Sequence, residues 1–374
     1  MSMSLRLLRD RIPGASTVLM LVVMLLLIAA VTEALDSTVL SRFAIRMFID
    51  MTLVLGLQMF MGNSNILWFP HIGFMGIGAY ASVIFSMPPL QKILSLPELY
   101  PFLADVNLPF LPALLAGALV AAAVAAVIGL PLMRLSDFPA VIAGFAMLIV
   151  IHAVLTHWEA LTNGPQTLFG VERRTYVMNS AIWACVFVAV AYWFKESKSG
   201  LQLRASRDDL VSTSSIGVNI VAVRWFALVL SAFAAGIAGG LFAHFITSFS
   251  PKAFFLRETF VILAMLVIGG PATVTGAVLG TVIVTIVYQT LRWVENTLNI
   301  EQVFAQPIAG LTDITLAVML IGMLILRPAG IFERREIGWQ TLRALWPWTG
   351  ADAVPEPAAD PQVVRKAVET KQRR

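Results

Sequence analysis

Charge is what this chain has least of. Only 13% of its 374 residues are charged, about half the share of a soluble domain, too few to cover a water-facing surface. Cysteine occurs once, at Cys185 within an apolar stretch, which excludes a disulfide framework and a thiolate metal site. Histidine occurs four times. His152 and His157 stand five residues apart and so do not share a helix face at about 100° per residue. They also lack the spacing of a helical zinc motif. His71 and His244 are isolated in sequence. No metal site or cofactor is therefore expected, and a membrane-embedded enzyme, which needs clustered ionisable groups, is disfavoured. There is no Walker-type phosphate loop, so any ATP that drives this protein binds to another chain. No basic patch is interleaved with aromatics, and the formal net charge of +4 gives no reason to expect nucleic acid.

Apolar residues fill the space, at 58% of the chain, and several uncharged runs reach the length of about 20 residues that spans a bilayer. The pattern predicts an all-α polytopic integral membrane protein of about ten transmembrane helices, some short or broken. Arg6, Arg9 and Arg11 precede an uncharged run from Ile12 to Thr32. Its apolar centre is long for a signal peptide and no small-residue cleavage site follows, so a retained first helix is expected. No charge then occurs between Asp50 and Lys92, and Gly62-Asn63-Ser64-Asn65 divides this run into helices over about 44–61 and 66–87. Arg46 and Asp50 are spaced i,i+4 and can pair on one face, which lowers the cost of holding either in a membrane.

Residues 88–109, with five prolines, read as an external loop. Further helices are expected over about 110–133, from after a tight turn at Arg134–Asp137 to about 157, and over 176–194, 224–246, 273–291 and 307–326, with a short, broken or partial one over 259–270. Asp313 lies about six residues, or 9 Å, into the last of these. It should face either an interior partner or aqueous cavity, or the headgroup interface. The tail from Ala351 mixes Pro, Ala and charges without periodicity and is expected to be disordered. With ten crossings, and setting aside Arg365 onward, 13 basic residues fall on the side of the termini and 7 on the other. The positive-inside rule then places both termini in the cytoplasm.

Gly200 to Ile220 is the longest polar interval between strongly apolar blocks. Arg204, Arg207, Asp208 and Asp209 sit in its middle. Asp208 to Ile216 can form about two helical turns, with Leu210, Val211 and Ile216 available to a protein surface and Gly217 as the stop. A short helix fixed between two spans is a handle by which a partner can move both. A solvated linker is the competing reading of the same residues.

Four segments, in order, give the chain a family resemblance. These are G-N-S-N-I-L-W-F-P-H-I-G-F-M-G-I-G-A-Y from Gly62 to Tyr80, L-T-N-G-P-Q-T-L-F-G-V from Leu161 to Val171, Gly200 to Ile220, and L-R-P-A-G-I from Leu326 to Ile331. Over roughly 40–332 the sequence resembles the permease subunits of the branched-chain amino acid class of ABC importers, specifically the M-type subunit. It departs from them at Asn65 and Pro70, where the family usually has glycine, and at Trp68, where it has serine.

Taken with the charge count, the chain is expected to divide into a cytoplasmic N-terminus over 1–11, a permease domain over 12–332 with a coupling segment at 195–223, and a cytoplasmic tail over 333–374. The resemblance implies a bacterial inner-membrane, non-catalytic subunit that works with a second permease, two ATP-binding subunits and a periplasmic solute-binding protein. The solute would be a branched-chain or related amino acid, an amide or a urea-like compound. ATPase coupling falls to Arg204, Arg207, Asp208, Asp209, Leu210, Ile216 and Gly217. Asn65, Trp68, His71, Gly73, Gly76, Gly78 and Asp313 are candidates for the translocation path. The alternative is an ion- or proton-coupled secondary transporter using Asp313 and the Arg46–Asp50 pair.

Overall fold

The computed structural model describes residues 3–135, 137–300, 310–327, 330–332 and 336. The expected tail therefore lies outside the described residues apart from Glu336, and so does Pro328 of the Arg-Pro ending. The described residues form helices and no strand, with one isolated antiparallel bridge between Leu168 and Phe249.

The helices in order are α1 (Met3–Ala34), α2 (Thr38–Leu57), α3 (His71–Ser86), α4 (Pro89–Ser95), α5 (Pro101–Ala104), α6 (Phe110–Leu132), α7 (Asp137–His157) and α8 (Glu159–Thr162). They continue with α9 (Val177–Glu196), α10 (Lys198–Asp208), α11 (Leu210–Ser215), α12 (Ile220–Ile246), α13 (Leu256–Gly269), α14 (Val274–Ile300) and α15 (Leu311–Leu326). Seven described helices are long and apolar enough to cross a membrane, and α3 and α15 are shorter apolar helices. Helix α13, at 14 residues, is the short piece expected around 259–270.

Two boundaries differ from the sequence expectation for identifiable reasons. Helix α3 begins at His71, not near 66, because Pro70 occupies its N-cap. The residue before a proline is pushed out of the helical region. Helix α2 starts at Thr38, where the Ser37 hydroxyl accepts from the Leu40 amide. At its other end it runs into a π-turn over Gln58–Gly62.

Helices α3, α6 and α12 form the centre of the bundle, and small residues let their backbones touch. A β-carbon on Gly78 would lie 2.4 Å from the α-carbon of Gly236, and one on Gly239 would lie 2.0 Å from the Met75 carbonyl oxygen. Helix α1 rests against α9 at the periphery, with Leu19 and Leu27 exposed, as Phe138 and Ile142 are on α7.

The α10–α11 segment marks one end of the bundle. At the far end, the loop between α3 and α6 folds around Lys92. Its ammonium is buried and donates to the carbonyls of Leu103, at 2.8 Å, and Val106. Burial pushes this amine below the usual lysine value, and nearby Asp105 partly offsets the effect. Lys92→Met should strip both carbonyls of their donor, at about 1–3 kcal/mol each. Limited chymotrypsin digestion at Tyr100 and Phe102 should then run faster than in the parent protein.

Candidate functional site

At the far end, α2 from Val39 to Asp50 faces α13 and the middle of α14 across a cavity of about 420 Å³. Arg46 organises its floor. Its Nε donates to Asp50 Oδ2 at 2.9 Å, one turn further along the same helix, and its Nη2 donates to Glu258 Oε2 at 2.5 Å. The guanidinium also lies 5.0 Å from the centre of the Phe242 ring. A cation held by two carboxylates and an aromatic face is stable in an apolar bundle only when paired in this way.

Two polar atoms at the cavity have no partner among the described residues, Asp50 Oδ1 and Thr285 Oγ1, and both are buried. Arg257 is occupied, donating from Nε to Asp313 at 3.1 Å and from Nη2 to the Tyr288 hydroxyl at 3.1 Å. Arg42 and Arg292 also line the cavity, are exposed, and form no ion pair among the described residues. The Arg292 guanidinium lies 5.9 Å from the centre of the Tyr288 ring. The wall thus holds four arginines, at 42, 46, 257 and 292, against two carboxylates, Asp50 and Glu258.

At the opposite end the polar interval is two helices meeting at a corner. Ser197 caps α10, accepting from the Gly200 amide at 3.2 Å. Asp209 breaks the helix expected over 208–216, because its own backbone is extended. Its carboxylate accepts from the amides of Val211, at 2.8 Å, and Ser212, at 3.0 Å, and from the Ser212 hydroxyl at 2.6 Å. Those bonds, led by the Ser212 hydroxyl, hold Asp209 below the usual carboxylate range. Gly217 follows at φ +83°, a conformation that favours glycine.

The basic residues of the interval turn inward. Arg204 donates to the Lys195 carbonyl at 2.9 Å, and Arg207 donates to the Gly62 carbonyl at 3.1 Å, at the end of the π-turn that follows α2. Asp208 is exposed and Leu210 half-buried, while Val211 and Ile216 are 75% and 77% exposed.

A carboxylate from beyond α15 joins this end. Glu336 accepts from Lys195, from the amides of Val274 (2.9 Å) and Thr275 (3.0 Å), and from the Thr275 hydroxyl at 2.6 Å. It thereby caps α14, where a negative charge suits the helix N-terminus, and joins α14 to α9. Ile331 and Phe332 donate to the carbonyls of Ile268 and Gly269 beside it.

The expected path residues are placed mostly by packing. Trp68 is buried, edge-on to Phe60 at 5.0 Å. His71 is engaged at both nitrogens, Nε2 with the Leu53 carbonyl at 2.8 Å and Nδ1 with the Ser231 hydroxyl at 3.2 Å. Gly73 abuts Ile151, Gly76 abuts Leu155 and Phe254, and Gly78 abuts Gly236. Asn65 is exposed, with φ +59°. None of these six lines the charged cavity. Asp313 stands in the first turn of α15, shallower than expected, and borders an adjoining, mainly apolar cavity of about 440 Å³. Sequence reasoning missed Arg257, Glu258, Thr285 and Glu336. Glu258, next to an uncharged run and unpaired locally, is the one whose position carried a signal.

Among the described residues, seven helices of membrane-crossing length, with shorter apolar helices packed among them, define a polytopic α-helical membrane protein. Residues 39–326 match the family described as branched-chain amino acid transport system / permease component, and the chain belongs to that family. It is 26% identical over 274 residues to the high-affinity branched-chain amino acid transport system permease protein LivM of Salmonella typhimurium LT2, and equally to that of Escherichia coli K12. The alignment covers 64% of this chain and 60% of each relative. No solved structure matches the chain.

Proposed function

We propose that this chain is the permease subunit of an ATP-driven importer in a bacterial inner membrane. It has both termini in the cytoplasm and takes a small polar solute from a periplasmic binding protein. A second permease completes the path, and two ATP-binding subunits supply the energy. The observation that carries the reading is the fastening of α10 and α11. Their exposed apolar side chains face away from the bundle, while Arg207 ties them to the end of α2 and Arg204 to the end of α9. Helix α9 is in turn tied through Glu336 to the start of α14. Helices α2 and α14 are the two that carry Arg46, Asp50, Thr285 and Arg292. A push on the handle therefore reaches the cavity through rigid helices, and alternate exposure of that cavity is the transport cycle.

Serine at both Val211 and Ile216 should cut stimulation of ATPase activity by the loaded binding protein about tenfold or more. Burying each apolar side chain against a partner is worth about 1.5–3 kcal/mol. Leu210→Ser should cost less, since that side chain is already half-buried in this chain. Full stimulation and normal recruitment of the ATP-binding subunits in the double variant would reduce α10–α11 to a linker.

A further inference from the structure

We propose that the far end of the bundle carries a binding site for a phospholipid whose headgroup ends in a primary ammonium, of the phosphatidylethanolamine type. Arg42 and Arg173 receive its phosphate, and Glu33 and Asp36 accept from its ammonium. The site needs only a bilayer around the spans and does not depend on what the chain transports.

Where α1 ends and α2 and α9 begin, a cavity of about 300 Å³ opens between them. All three helices are of membrane-crossing length, so their shared end lies at the level of the lipid headgroups. Glu33, Asp36, Arg42 and Arg173 line this cavity, and all four are exposed. None of them forms an ion pair among the described residues, with one another or elsewhere. The adjacent Glu172 and Arg174, by contrast, are paired with each other. Arg42 also borders the charged cavity, whereas Arg173 does not and leans on the Tyr176 ring, 5.8 Å from its centre. Two charges of each sign that share a cavity without meeting leave room for a molecule that carries both.

The helix ends sort that molecule. Glu33 stands in the last turn of α1, the negative end of its dipole, and Asp36 follows it in the turn. That end favours a cation. Arg173 and Tyr176 precede the start of α9, and Arg42 sits in the first turns of α2, where the positive ends favour a phosphate. Tyrosine is also a common residue at this depth. Below the cavity the helices are apolar and open. Exposed apolar residues recur every four positions from Leu19 to Val31 on α1 and from Met178 to Val186 on α9. These rows run roughly 18 Å and 12 Å along their helices, a surface for acyl chains. A soluble zwitterion would use the charges and leave the rows bare. Among lipids, an anionic glycerol headgroup would give the two carboxylates no cation. A choline headgroup carries the charge without an N–H, where an ammonium donates up to three.

The test is equilibrium binding to the delipidated full chain, followed by native mass spectrometry. The probes are phosphatidylethanolamine, phosphatidylglycerol and phosphatidylcholine of identical chains, and sn-glycero-3-phosphoethanolamine, which has none. Phosphatidylethanolamine should bind at least about tenfold more tightly than either other lipid, the effect of one charged hydrogen bond. Arg173→Gln should weaken phosphatidylethanolamine and phosphatidylglycerol alike. Glu33→Gln combined with Asp36→Asn should weaken phosphatidylethanolamine alone, down to the level of phosphatidylglycerol. These side chains are exposed and hold no ion pair, so the lipid-free melting temperature of each variant should match the parent. The chainless headgroup should bind at least tenfold more weakly than the lipid. Equal binding of the two would make the ligand a free phosphoester and overturn the lipid assignment. Equal binding of the three lipids, or variants that hold phosphatidylethanolamine as the parent does, would overturn the site itself.

Discussion

Replacing Gly239 by valine is expected to leave no monodisperse protein in detergent. The new β-carbon would sit 2.0 Å from the Met75 carbonyl oxygen and 2.9 Å from the Ala79 amide nitrogen, both backbone atoms of α3. Backbone cannot rotate aside, so α3 and α12 must part. The Gly78–Gly236 contact, which shares that seam, would open with them. The cost should exceed the roughly 1–3 kcal/mol of ordinary overpacking. Gly240→Ala is the control. Its β-carbon meets side chains instead, Leu114 Cδ1 at 2.4 Å and Ser82 Oγ at 2.9 Å, which can turn about their own bonds where backbone cannot. Size-exclusion profiles and melting temperatures of the two variants should differ sharply. A sharp peak and near-parent melting for Gly239→Val would mean that the seam is looser than its contacts indicate.

Glu336→Ala should produce the second large effect. It strands Lys195, whose side chain is 6% exposed, and uncaps α14. Leaving one member of a buried pair alone costs about 3–5 kcal/mol, and much of that should return in the double variant with Lys195→Met. Acid should reproduce the single variant. Burial by itself would push the Glu336 carboxyl up, but Lys195 and the bonds from Thr275 and Val274 outweigh it and hold the group below the usual carboxylate range. A carboxylate with a depressed folded value contributes fully above its unfolded value of about 4.3, and loses that contribution as pH falls through the lower folded one. The melting temperature should therefore lose nothing to this group between pH 8 and 5 and fall below that, and Glu336→Ala should show less of the acid loss. A variant that melts like its parent at neutral pH would show that the clamp carries no load.

Much of the architecture could be read from where charge is missing. The uncharged runs became helices, Gly62 to Asn65 separated α2 from α3, and Arg46 met Asp50 as i,i+4 spacing allows. The remainder depends on residues far apart in the chain. Glu258 joins Arg46 from 212 positions away, and Asp313 finds Arg257 from 56, separations at which no periodic pattern operates. The corner at Asp209 was missed because Asp, Ser and Thr serve a cap as readily as a helix surface. Glu336 lies just past the last apolar helix, where composition speaks for a solvated tail. The glycines of α3 were legible as places of close approach. Whether a neighbouring helix or a solute approaches there depends on α12, whose own glycines meet them.

The π-turn at Gln58–Gly62 has a consequence for how such chains can diverge. It takes one residue more per turn than an α-helix, and one residue is worth about 100° of rotation. The Arg46–Asp50 face and the Gly62 carbonyl that receives Arg207 are thereby set by separate stretches of the same helix. Gain or loss of a single codon in this turn would swing one face past the other. Selection can then alter which way the Arg46–Asp50 half of α2 faces while its grip on α10 stays the same, through a change in length that replaces no residue at either place.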